Sequence, residues 1–215
     1  DKTVTLALKR MARAKGTRQR QARPITEIEV AAILATTGDR LIDLRDIALL
    51  LTARDLLGRR SEVVALEVAH ITFNEDGSAT ALIERSKTDQ EGEGADRWLS
   101  SRTVKAIVRW LMASGVESGP LFRAMRKGGR VRGRMNPEDV SRRFKAMAKR
   151  ANIDATEVSG HSCRVGMAQD LASSGAELPA LMTAGRWKSP TMPARYTERL
   201  SADRGAVAKY YEQRG

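Results

Sequence analysis

Aromatic residues are scarce: three Phe, three Trp and three Tyr make up 4% of 215 residues. A surface for single-stranded nucleic acid stacks bases on aromatic rings, and this chain has few rings to offer. Cys163 is the only cysteine, which excludes an internal disulfide and fits a reducing cytoplasm. With His70 and His161 its only histidines, the chain lacks the side chains for a transition-metal centre. No apolar run is long enough to cross a bilayer, and neither a basic amphipathic anchor nor a signal-peptide pattern stands out. Acidic residues are in deficit: 26 Asp and Glu face 38 Lys and Arg, for a formal charge of +12. That excess calls for a polyanion, and duplex DNA held through its phosphates fits better than single strands or a membrane.

What is present amounts to one ordinary domain. Hydrophobic residues, at 41%, suffice for a core. The chain opens on Asp1 rather than methionine, so a piece of a longer protein is expected. Residues 3–14 have helical spacing around Leu6, Leu8 and Met11. Residues 15–24 carry four cations and no acid, either a solvated linker or an arm laid along phosphates through Arg18, Arg20 and Arg23. Thr26 and Glu29 form a capping box, with Ile25 and Val30 as a hydrophobic staple, for a helix ending at Gly38. An apolar helix over 40–57 reads as the buried centre, and a short helix runs from Ser61 to Leu66. Strands are expected over 67–73, 79–85 and 97–100, with a basic hairpin around Gly128 and Gly129. Further helices follow over 101–114, from Pro137 to Ala151, from Ser162 to Ser173, over 177–184, after Pro190, and after Ser201 as an N-cap. The fold class is mainly α with a small three-stranded antiparallel sheet.

Four short pieces carry chemistry. They are GRRSEVVALEV at 58–68, GHSCR at 160–164, GRW at 185–187, and Tyr196. Two arginines can grip phosphate oxygens with planar, permanently charged forks. A tyrosine can attack phosphorus, but its phenol has a pKa of about 10 and needs a strongly positive site. Arg60 competes with Arg59 for the first arginine role, and the Ser-Glu that follows favours Arg59. Tyr210 and Tyr211 compete with Tyr196, but beside Val207 they suit an apolar docking face. Lys87 lies in a loop that also carries Asp89, with which it can simply pair. Cys163 reads as packing.

In this order the pieces resemble the tyrosine recombinase (phage integrase) family, and its Cre-like branch in particular. The stretch SGHSCRVGMAQDLASSGAELPALMTAGRW at 159–187, and the nine residues from Trp187 to Tyr196, carry the branch likeness. The resemblance covers residues 24–215 and implies the tyrosine recombinase catalytic-domain fold. Residues 1–23 would then be the last helix of an N-terminal core-binding domain plus its linker, and 201–212 an exchange helix that docks on a neighbouring subunit. The resemblance implies Arg59 and Arg164 as phosphate clamps, and Lys87 as the acid that protonates the leaving 5′ oxygen. It makes His161 a proton-transfer or phosphate-binding group, Tyr196 the nucleophile, and Glu62 an orienting helper. Glu62 reads equally well as a carboxylate favoured at a helix start. Trp187 stands where many relatives have histidine, and an indole donates one hydrogen bond but takes no proton.

The implied function is site-specific DNA recombination through a 3′-phosphotyrosine link, without metal, ATP or another cofactor. The implied partners are duplex DNA bearing a specific site and further copies of the chain, a dimer on each site and a tetramer in synapsis. The implied location is the cytoplasm, on the nucleoid when bound. Arg126, Lys127, Arg130, Arg132 and Arg134 are dense enough to touch DNA. Two alternatives remain open at this stage: relaxation of supercoils by a type IB topoisomerase, and a non-catalytic DNA-binding module keeping the fold.

Overall fold

The computed structural model describes residues 4–5, 21–84, 94–126, 128–204 and 210–212, with backbone only over 199–204. Of the helix expected over 3–14, only Val4 and Thr5 fall within this range, and both are helical. Eight helices are described from Glu27 onward: α1 (Glu27–Ala35), α2 (Leu41–Asp55), α3 (Arg60–Ala65), α4 (Ser101–Ser114), α5 (Pro137–Arg150), α6 (Ser162–Ser173), α7 (Leu178–Gly185) and α8 (Thr191–Arg204). Strands β1 (Ile71–Phe73), β2 (Ala79–Ile83) and β3 (Ala95–Leu99) form one antiparallel sheet in that order, and β4 (Arg123–Met125) pairs with β5 (Val131–Arg134) in a separate hairpin.

Helix α1 starts as its sequence dictates. Glu29 accepts the Thr26 backbone N–H at 3.0 Å, and Ile25 and Val30 are both fully buried. It stops before Gly38 because the Thr36 and Thr37 hydroxyls both donate to the Ile33 carbonyl, at 2.9 and 2.6 Å. Such side-chain bonds compete with the next backbone turn.

Helix α2 is the expected centre, packed against α4 and α6. It is not simply apolar, since Asp43, Arg45, Asp46 and Arg54 are buried along with its leucines. All four are paired. Asp46 accepts from Arg45 at 2.6 Å and from Arg143 on α5 at 2.7 Å. Asp43 accepts from Arg40 at 2.7 Å and from Arg150 at 2.6 Å. Arg54 donates to Asp170 on α6 at 2.6 Å and to the Ile25 carbonyl. Buried charge is tolerated only with this degree of pairing.

The sheet departs from expectation at its start. Residues Val68–His70 form a 3₁₀ turn and β1 begins only at Ile71. The Val68 N–H is taken by the Gly119 carbonyl at 2.9 Å, and Glu67 bridges to Pro120, so this backbone is drawn away from β2. Ile71, Ala79, Ala81, Ile83 and Leu99 bury one face, Trp98 stands on the other, and Phe73, opposite Ala79 at the sheet edge, is half exposed.

The C-terminal region also differs. The sequence places an N-cap at Ser201, but α8 runs from Thr191 through Ser201 to Arg204 without a break. A serine in mid-helix costs only about half a kcal/mol, too little to stop an established helix. A second, smaller core gathers Leu57, Val165, Ala168 and Tyr196, with Trp187 and Met192 packed against it. It ties α6, α7 and α8 to the end of α2.

Candidate active site

Four chain segments meet at this smaller core: the turn between α2 and α3, the N-terminus of α6, the C-terminus of α7, and α8. Leu57, two residues past the end of α2, is in a left-handed conformation, φ 42°, which a bulky side chain adopts at a cost. Its carbonyl accepts one arm of the buried Arg164 guanidinium, and the Gly185 carbonyl accepts the other. Burial, with the Arg59 guanidinium beside it, pulls the Arg164 pKa down to about 10, while Tyr196 and Glu62 oppose the drop. Arg164 therefore stays cationic at neutral pH.

Arg59 is the N-cap residue of α3, and Glu62 holds it twice, at 2.9 Å through the backbone N–H and at 2.6 Å through the guanidinium. The competing Arg60 turns outward to Glu138 at 2.8 Å. Glu62 also accepts from Arg186 at 2.6 Å. Burial raises the Glu62 pKa, but Arg186 and then Arg59 outweigh it, so its carboxyl lies below the ordinary range.

His161 is the N-cap of α6 rather than its first turn, and it is exposed, whereas Arg164 lies inside. The two residues, three apart, thus differ in burial although they share the start of α6. Partial burial of the ring, then Arg164, Arg60 and Arg59, hold the His161 pKa below its ordinary value. The imidazole is thus neutral near pH 7 and can accept a proton.

Trp187 lies flat against Arg164, with the guanidinium carbon 4.5 Å from the ring centroid. The Tyr196 ring meets it edge-on at 5.8 Å and 71°. Gln169 on α6 pins the Tyr196 backbone carbonyl at 2.9 Å. The indole fits only because residue 185 is glycine, since a Cβ there would lie 2.1 Å from the Trp187 ring. Arg59, Glu62, His161, Arg164, Trp187 and Tyr196 are thus brought together. Cys163 is fully buried, and burial pushes its thiol up to about 12, as suits packing.

Lys87, Arg18, Arg20 and Lys127 lie outside the described residues. Arg23 pairs with Glu29 at 3.8 Å. Arg126, Arg130 and Arg132 are exposed on the β4–β5 hairpin. Arg134 differs: it donates to the Val64 and Ala65 carbonyls at the end of α3, at 2.8 and 2.7 Å, and to Glu67 at 2.6 Å. That is a helix C-terminal cation, and both of its terminal nitrogens donate to protein acceptors. The sequence reading missed Arg186, Gln169 and Leu57. The GRW stretch contained Arg186, but its pairing with Glu62 depends on the fold; nothing in the sequence marks Leu57.

Residues 23–202 match the phage integrase family model, so the chain belongs to the phage integrase family. Its fold is that of a tyrosine recombinase catalytic domain. The chain is 29% identical over 228 residues to recombinase Cre of Escherichia phage P1, covering 97% of this chain and 66% of Cre. It is 30% identical over 207 residues to an integrase/recombinase XerD homolog of Selenomonas ruminantium, covering 92% of this chain and 60% of that protein. Both relatives are thus spanned for less than two thirds of their length. Among solved structures, XerH recombinase bound to its difH substrate superposes with a TM-score of 0.68 at 16% identity, covering 87% of this chain and 54% of XerH. XerA recombinase superposes at 0.65 with 17% identity, covering 84% of this chain and 61% of XerA. No described helix is long and apolar enough to cross a membrane.

Proposed function

We propose that this chain is the catalytic domain of a site-specific DNA recombinase that cuts and rejoins duplex DNA through Tyr196. The observation that carries this reading is the convergence of two guanidiniums, an imidazole, an indole and a phenol around the small core of Leu57, Val165 and Ala168. Binding alone would not require the phenol.

The chemistry follows from the groups. Arg59 and Arg164 hold the non-bridging oxygens of the scissile phosphate and neutralise the charge that grows on them. As Tyr196 attacks, its phenolic proton passes to His161. The phenolic oxygen bonds to phosphorus as the bond to the 5′ oxygen breaks, and Lys87 supplies the proton that makes a 5′ hydroxyl. A 3′-phosphotyrosine link remains, and a 5′ hydroxyl from a partner strand reverses the step. The ester energy is conserved, so neither ATP nor metal enters. Glu62 holds Arg59, and Trp187 backs Arg164. We propose further that the chain acts in the cytoplasm as a dimer on each site and a tetramer in synapsis, with residues 1–23 leading from a preceding DNA-binding domain.

The test is to trap covalent complexes on plasmid and genomic DNA with detergent and sequence the attached strand ends. The wild-type chain should leave a 3′-linked product at a recurring sequence. Tyr196→Phe should bind duplex within about threefold of wild type yet trap nothing, because it removes only the nucleophile. Covalent product from Tyr196→Phe would place the nucleophile elsewhere. Relaxation of supercoils at random sequence would move the reading to a type IB topoisomerase.

A further inference from the structure

Outside the residues already given a role, two arginines face one cleft. Arg97 and Arg186 line a cavity of about 670 Å³ together with Leu178, Met182, Trp187 and Lys188. Arg186 caps α7 in a left-handed conformation, φ 54°, which turns its side chain back toward Glu62. The side chain is only 10% exposed, and one nitrogen is used by Glu62. Its Nε and its other terminal nitrogen are buried and have no hydrogen-bond partner among the described residues. Arg97, in the middle of β3 opposite Ala81, donates to the Asp96 carbonyl at 2.9 Å, and its Nε is likewise buried and without a partner.

Three idle donors on two like-charged groups are costly in a buried setting. Burial and then the Arg186 charge already disfavour the cation on Arg97. Among the described residues, the acids nearby are Glu62, shared between Arg59 and Arg186, and Asp96, which is exposed. An anion carrying several acceptor oxygens would satisfy all three donors and both charges at once. Planar guanidinium forks match phosphate bidentately, as they do carboxylate, and a phosphate has more acceptor oxygens to share between two arginines. Trp187 walls both this cleft and the catalytic cluster, so a phosphate held here belongs to the same strand region as the one under attack.

We propose that Arg97 and Arg186 form a second phosphate site, which holds a DNA backbone phosphate flanking the scissile one. This rests on the DNA recombinase reading and deepens it. The site fixes the register of the strand, so that Tyr196 meets one phosphate and not its neighbour.

The test is the salt dependence of binding to a duplex of about 30 base pairs of arbitrary sequence, between about 50 and 200 mM salt. Each phosphate contact contributes roughly 0.9 to the slope of log K against log salt. The double variant Arg97→Gln/Arg186→Gln should bind with a slope shallower by about 0.9 and several-fold more weakly at low salt. Arg97→Gln alone leaves the Glu62 pairing untouched and should show part of the same change. In the wild-type chain, the Nε–H resonances of Arg97 and Arg186 should shift as duplex is added. A folded double variant with the wild-type slope overturns the site. If the double variant does not fold, a wild-type slope in Arg97→Gln with both Nε–H resonances unmoved overturns it equally. A wild-type chain that fails to bind duplex at all sinks the recombinase reading and takes this site with it; unchanged slopes on a chain that does bind sink only the second site.

Discussion

Glu62 is the residue on which the cationic cluster balances. It sits buried between Arg59 and Arg186, and removing its charge leaves two guanidiniums without their counter-ion. Glu62→Gln should therefore destabilise the domain by about 3–5 kcal/mol near neutral pH. The sign of its pH dependence follows from its depressed folded pKa. As pH falls the unfolded chain takes up this proton first, so the contribution is whole above the ordinary value of 4.5 and is lost as pH drops through the folded one. Thermal melts across pH should show the gap between wild type and Glu62→Gln wide near about pH 7 and closing below about pH 4. A gap that stays constant into acid would contradict the ion-pair account. Gly185 offers a second test at this scale. Gly185→Ala places a methyl 2.1 Å from the Trp187 ring. We expect a loss of about 1–3 kcal/mol, a changed tryptophan emission, and a drop in covalent trapping larger than the drop in duplex binding.

At the scale of elements, the domain is held by charges threaded through its central helix. Asp46 is fully buried and neutralises both Arg45 and Arg143, joining α2 to α5. Asp46→Ala strands both arginines and should cost about 3–5 kcal/mol in denaturant unfolding; a loss under about 1 kcal/mol would show that water reaches them. Helix α6 approaches the chain before α1 so closely that a Cβ at Gly166 would meet the Ile25 carbonyl at 2.0 Å. Backbone cannot yield as a side chain can, so Gly166→Ala should unfold the domain more readily than Gly185→Ala. Helices α4 and α5 were legible in sequence because amphipathic spacing marks the first and Asn136 and Pro137 open the second; the structure adds Ser100 as the cap of α4. The Ser201 cap was misread because one favourable side chain counts for little against a helix already running. The strand expected from Glu67 was misread because a distant segment, Gly119–Pro120, claims its backbone.

For the whole molecule, the excess of 38 basic over 26 acidic residues sets how it meets DNA. Part of that charge is engaged within the protein, however: Arg45, Arg54 and Arg164 are buried, and the exposed Arg134 braces α3. The surface available to phosphates is smaller than the composition suggests. Beyond α8, Tyr210 and Tyr211 are exposed and meet ring edge to face at 5.3 Å. Removing residues 205–215 spares α8 and its Tyr196. If that tail docks on a neighbouring copy, the shortened chain should still bind a single site but lose cooperative assembly on paired sites, read by gel shift and sedimentation. Retained cooperativity would assign the tail to its own domain.

The sequence by itself determined the fold class, most helix starts and the candidates for the reactive groups, because caps, periodicity and chemical type are local properties. Only the tertiary structure decided that Arg59 rather than Arg60 faces inward, that His161 stands at the rim while Arg164 is buried, and that Arg186 joins Glu62. Those outcomes depend on which distant carboxylate or carbonyl each guanidinium finds, and a chain read residue by residue holds no record of distance.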